Sequence, residues 1–245
     1  MQTSANDKLS TILRQMNGWY QETLGAELLS AERQQLDLCL PQFYGRHLLQ
    51  VGGPGGSFLF EQSPIWHSIR LSPEFDATFR GPVVQGSFEQ WPFLPGCFNV
   101  ILMPHVLEIA LNPIQVLQQA YQALAPGGHL LILGFNPLSL WGLKQKILPS
   151  NQAPWSQHFY TCHTVCGWLK KQEFLIKQET SLFFRPPLKN KYGLDKLFIL
   201  EPIGKLLGEG LGGVYFIIAE KCQIPLTPLP HKIKPLVGQL KPTGA

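Results

Sequence analysis

Closely spaced glycines behind an apolar run carry the most legible chemistry in this chain. Residues 48–51 read Leu-Leu-Gln-Val, and Gly52-Gly53-Pro54-Gly55-Gly56 follows. Glycines at a strand end let backbone approach a nucleotide-like ligand, and the start of a following helix favours its polar groups. The turn is not a clean G-x-G-x-x-G and has no G-K-[ST], so dinucleotides and nucleoside triphosphates fit it less well. A second cluster is His158, Cys162, His163 and Cys166. His158, Cys162 and Cys166 would share a helix face, but no paired C-x-x-C accompanies them. Packing at a helix start is expected there, and no metal.

These residues need elements to position them. An apolar strand is expected at 100–103, then a helix with Asn112 as N-cap and Pro113 at its first position. Ile114, Leu117, Tyr121 and Leu124 recur at helical spacing and are expected to be its buried face. Pro126-Gly127-Gly128 would stop the helix before a strand at 130–133. Strand, capped helix and strand imply a βαβ unit in a parallel sheet. Other strands are expected at 48–51, 65–71, 83–84, 174–178 and 214–219, and a helix at 164–171. Residues 1–35 read as helical, with Leu9, Ile12, Leu13, Met16, Trp19 and Tyr20 on one face, packing on the sheet or capping the pocket. Residues 138–148 read as an amphipathic lid with Trp141, Lys144 and Lys146, which would close over substrate or simply cover the sheet edge. Between Ser72 and Gly81 there is little room for a helix.

Several motifs now fall in order. Leu124-Ala125-Pro126-Gly127-Gly128 resembles the L-x-P-G-G of class I S-adenosylmethionine (SAM)-dependent methyltransferases, of the small-molecule UbiE-like type. Gly86-Ser87-Phe88-Glu89-Gln90-Trp91-Pro92-Phe93 resembles that family's G-D-A-x-x-L-P-F, and Cys97-Phe98-Asn99-Val100 its x-F-D-x. The run from Gly134 to Leu143 further resembles a bacterial branch labelled YafS-like. The resemblance spans roughly residues 48–177. It implies an α/β, Rossmann-like methyltransferase fold: a mostly parallel seven-stranded sheet, helices on both faces, and an antiparallel last strand at the edge.

The resemblance also implies a site. Gln50, Gly52, Gly53, Gly55 and Gly56 would hold the amino-acid part of SAM. Arg70 and Leu71 would lie along the ribose, Ser87 and Phe88 beside the adenine, and Met103, Pro104 and His105 around the methyl group. His105 would be either a general base for an O- or N-nucleophile or a residue that only lines the pocket. The motif carboxylates are replaced. Gln50, Arg70, Ser87 and Asn99 stand where the family carries acids, and Pro54 replaces its middle glycine. Each charge-assisted hydrogen bond lost would cost on the order of 1.5–3 kcal/mol. Arg70 would suit an anionic ligand instead. Asn136 is expected to order a turn.

Bulk properties bound the rest. The 245 residues suit one α/β domain, 36–221, with an insertion near 183–210, an N-terminal helical segment 1–35 and a basic Pro-rich tail 222–245. No run has the length of a membrane span. The start, MQTSANDKLS, lacks signal character, so a cytoplasmic protein that is not integral to the membrane is expected. The cysteines are five and scattered, which predicts free thiols. Residues 1–123 hold six Lys/Arg against ten Asp/Glu, and the remainder fourteen against six. The lysines of the basic half are dispersed, so nucleic-acid binding is weakly supported. Three functions follow: methyl transfer from SAM to a small molecule, a methyltransferase-fold binding or regulatory module without catalysis, and RNA methylation.

Overall fold

A computed structural model of the chain describes residues 2–54, 59–74, 81–187 and 210–222, with 2–7 as helix backbone alone. Gly55, Gly56, most of the expected insertion and all but the first residue of the expected tail lie outside the described residues. Seven strands form one sheet: β1 (His47–Val51), β2 (His67–Ser72), β3 (Val83–Gln85), β4 (Phe98–Pro104), β5 (Leu124–Phe135), β6 (Phe174–Leu182) and β7 (Val214–Lys221). Their order is β3-β2-β1-β4-β5-β7-β6. β1 to β5 pair in parallel, and β7 runs antiparallel to β5 and β6.

The last strand is antiparallel as expected, but it is not at the edge. β7 sits between β5 and β6. Burial accounts for this. Val214 to Ala219 are all buried, so both flanks and both faces need cover, whereas β6 exposes Leu175, Lys177, Gln178 and Glu179 and tolerates an edge.

The βαβ unit forms with two differences. Helix α3 (Pro113–Ala123) starts on Asn112, whose side chain accepts from Gln115 N at 3.2 Å. Its buried face is Val116, Leu117, Ala120 and Ala123, while Ile114 is 45% exposed. Periodicity alone missed the small alanines that let the helix approach the sheet. The helix also ends before Pro126, because Leu124 is already extended and Lys221 Nζ caps the Tyr121 and Leu124 carbonyls at 2.6 and 2.7 Å. The Pro-Gly-Gly lies within β5 as a bulge: Phe98 and Val100 of β4 face Leu124 and His129.

Helices α1 (Gln2–Gln21) and α2 (Thr23–Cys39) pack on the sheet. Trp19, Leu28 and Leu36 join one apolar cluster with Leu48, Val100 and Phe216. Helix α4 (Leu140–Ile147) is anchored, which favours the covering role over a closing one. Trp141 is wholly buried, lies parallel to Phe135 at 5.7 Å, and donates to Arg185 O at 3.0 Å. A helix anchored by its largest side chain does not swing freely. Helix α5 (Cys162–Lys171) is capped by Thr161 and covers β6.

Asn99 has a structural task. Its Oδ1 accepts from Arg46 N at 2.7 Å and His47 N at 3.2 Å, at the amino end of β4. The ligand-bearing edge of a parallel sheet is the opposite one, so this missing acid removes nothing from the site. The Trp141→Ala variant is expected to lose about 3–5 kcal/mol of stability, read as a lower urea midpoint at unchanged slope.

Candidate functional site

Two glycines create the opening at the carboxyl end of β1. Gly52 and Gly53 hold φ +62° and +94°, conformations that side chains rarely adopt. A Cβ on Gly53 would lie 2.7 Å from Gln50 Nε2 and 2.9 Å from Pro104 Cγ. Gln50 shapes this turn from within. Its Nε2 donates to Gly52 O and its Oε1 accepts from Leu59 N, each at 3.0 Å. Beside the turn is a cavity of about 510 Å³, within the roughly 300–1,000 Å³ of small-ligand sites. The strand side contributes Gly52, Gly53, Arg70 and Glu74, and α1 closes it with Arg14 and Asn17.

The expected residues divide. Gln50, Gly52, Gly53, Arg70 and Pro104 meet at this turn. Arg70 is 3% exposed and donates from Nη2 to Gly53 O at 2.9 Å. Leu71, Phe88 and Met103 are fully buried. Phe88 lies under Gly52, whose Cβ would come 3.2 Å from its Cζ, so its ring supports the turn and offers no exposed face to a base. Ser87 is exposed and donates to Glu89 Oε2 at 2.7 Å, while Glu89 Oε1 accepts from Leu111 N at 2.9 Å. Glu89 thus ties the loop after β3 to the loop before α3.

A second cavity, about 660 Å³, lies beyond β4. Leu9, Ile12 and Gln15 of α1 face it, with Glu108, Ile109 and His158 opposite. Helix α1 therefore walls both cavities with different faces.

His105 is 2% exposed at φ +53°. Its Nε2 lies 2.6 Å from Glu32 Oε1 on α2, and its Nδ1 3.5 Å from Glu108 Oε1. Glu108 Oε1 also accepts from Phe135 N at 2.7 Å. Burial alone would lower the imidazole pKa, but the charge of Glu32 and the proximity of Glu108 outweigh it and push it up to about 10. The geometry at His105 is a clamp between two carboxylates. Glu108 was readable three residues after the histidine; Glu32, 73 residues away, had no local signal.

The metal-like cluster divides: Cys162 and Cys166 stay together, with their sulfurs 4.0 Å apart, while His158 lines the second cavity and meets Tyr160 edge-on at 4.6 Å. All five cysteines are free thiols. Among the described residues no helix is long and apolar enough to cross a membrane.

The sheet order and the glycine turn place the chain in a known class. Residues 20–179 match the family model described as a methyltransferase domain, and the chain belongs to that family. It is similar to the uncharacterised protein YafS of Escherichia coli (strain K12), 30% identical over 208 residues that cover 82% of this chain and 79% of that one. The fold resembles a Thermotoga maritima SAM-dependent methyltransferase described as a possible histamine N-methyltransferase, at TM-score 0.62 and 20% identity, covering 83% and 92% of the two chains. It also resembles the N-methyltransferase NodS of Bradyrhizobium japonicum, solved with S-adenosyl-L-homocysteine, at TM-score 0.58 and 13% identity, covering 89% and 99%. Helix α1 precedes nearly all of the matched family region.

The clamp makes stability depend on pH. The unfolded imidazole titrates near 6.5, so the stabilisation is complete below about pH 6.5 and is lost as pH rises through about 10. His105→Ala leaves two buried carboxylates unpaired and is expected to cost about 3 kcal/mol at neutral pH. Its stability should also lose the decline between pH 7 and 10, as measured by denaturant unfolding.

Proposed function

We propose that the chain is a SAM-dependent methyltransferase acting on a small-molecule acceptor. The observation that carries this reading is the cavity at the carboxyl ends of β1 and β2, opened by Gly52 and Gly53, in a methyltransferase-family chain. SAM supplies an electrophilic methyl group on a sulfonium. The residues suit it at the turn, where glycines leave the backbone bare, and at Glu74, a carboxylate on the cavity wall within reach of a diol. Arg14, 3.9 Å from Glu74, balances that charge when no ligand competes. Gln50 takes the place of the usual acid by bracing the turn through neutral hydrogen bonds.

Chemistry of this kind rests on positioning a nucleophile against the methyl. His105 acts as a positioning residue that fixes the end of β4. The imidazole that faces the second cavity is His158, and that cavity is the acceptor side. A nucleic-acid acceptor is disfavoured because basic side chains of the second half serve the fold: Lys144 donates to Pro187 O, Lys221 caps α3, and Lys177 pairs with Glu220.

Arg70 favours a second reading, a binding module without catalysis. It is buried against Gly53 O at the position where the resemblance carries a ribose-binding acid. Calorimetric titration with SAM and S-adenosylhomocysteine separates the two. Binding on the order of micromolar, about −8 kcal/mol, is expected, with a loss of about tenfold or more in Gly53→Ala and in Glu74→Gln. Silence up to millimolar ligand in a folded protein would sink the methyltransferase reading.

A further inference from the structure

Away from both cavities, the fold adds a carboxylate to two cysteines that sequence spacing had already put on one helix face. Cys162 and Cys166 lie one turn apart on α5, and Glu179 faces them from the edge strand β6. Cys162 Sγ is 4.0 Å from Cys166 Sγ and 3.5 Å from Glu179 Oε2, and all three donor atoms lie within 4.8 Å of one another. A tetrahedral zinc centre has Zn–S of about 2.3 Å and Zn–O of about 2.0–2.2 Å. Its edges are then about 3.8 Å between sulfurs and about 3.5 Å between sulfur and oxygen. The two edges that meet at Cys162 Sγ match those lengths to about 0.2 Å, and the third lies within 4.8 Å.

We propose that Cys162, Cys166 and Glu179 bind one Zn2+ ion, with the fourth coordination position open to the adjoining cavity. That cavity is about 440 Å³ and is also lined by Thr161, Ser181 and Tyr215. Tyr215 on that wall is 1% exposed, and its hydroxyl has no hydrogen-bond partner among the described residues.

Chemistry favours zinc over harder cations. Two thiolates and one carboxylate form a soft, anionic set that magnesium and calcium do not prefer. Zinc is held by thiolates, so binding releases the two thiol protons to solvent. Lys170, on the same cavity wall, offsets the remaining negative charge. The centre would pin α5 to β6, and it stands independently of the methyltransferase reading.

The test uses the full chain, reduced and stripped with chelator, then titrated with Zn2+ against a chromogenic chelator and with Co2+ as a spectroscopic reporter. One Zn2+ per chain is expected, with a thiolate-to-cobalt charge-transfer band in the Co2+ form. Cys162→Ser and Cys166→Ser should each weaken zinc about 100-fold, and Glu179→Gln about tenfold. Glu179 is exposed, so its variant remains informative if a cysteine variant misfolds. Failure to saturate with Zn2+ overturns the site. So does equal zinc affinity in a folded Cys162→Ser/Cys166→Ser double variant or in Glu179→Gln.

Discussion

A buried charge must be matched where it lies, and His105 lies where the sheet, the N-terminal helices and the loop before α3 converge. Glu32 reaches it from α2 and Glu108 from its own loop. The imidazole and the two carboxylates offset the cost of burying one another in that apolar setting. Glu108 in turn accepts from Phe135 at the end of β5, so one ionic cluster ties α2, β4 and β5 together. The ring of His105 also lies 4.1 Å from that of Phe135, which links the cluster to the aromatic group around Trp141.

This linkage sets the form of both candidate ligand cavities. With α2 tied to the end of β4, α1 is held across the carboxyl edge of the sheet. One of its faces closes the glycine-turn cavity and another walls the second cavity. Such a helix decides access in a way that the strands beneath it cannot. Both cavities carry polar and charged side chains: Arg14, Arg70 and Glu74 at the glycine turn, and Lys8, Glu108 and His158 beside Leu9, Ile12 and Ile109 in the other.

The replaced family acids fall into distinct physical cases. Asn99 works at the far end of β4 and bonds β1. Gln50 keeps the turn closed through both ends of its amide. Ser87 hands its contact to Glu89. Arg70 alone inverts the charge at its position, and it is buried against the glycine turn. A motif comparison counts four losses, while the geometry leaves one that bears directly on the ligand.

Local physics wrote much of this protein into its sequence. Asn112 and Pro113 announced α3 because capping chemistry is short-range, and apolar runs announced the strands of the parallel sheet. The glycines of the turn were legible because only glycine takes those φ values readily. Other features belong to tertiary structure alone. The interior place of β7 follows from burial on both flanks, which an apolar run does not reveal. The burial of Trp141, which anchors α4 and decides between a closing and a covering helix, follows from what its neighbours leave uncovered. The pairing of Glu32 with His105 and of Glu179 with Cys162 joins residues far apart in the chain. No spacing rule reaches that far, because the energy of such contacts exists only after the helices have packed.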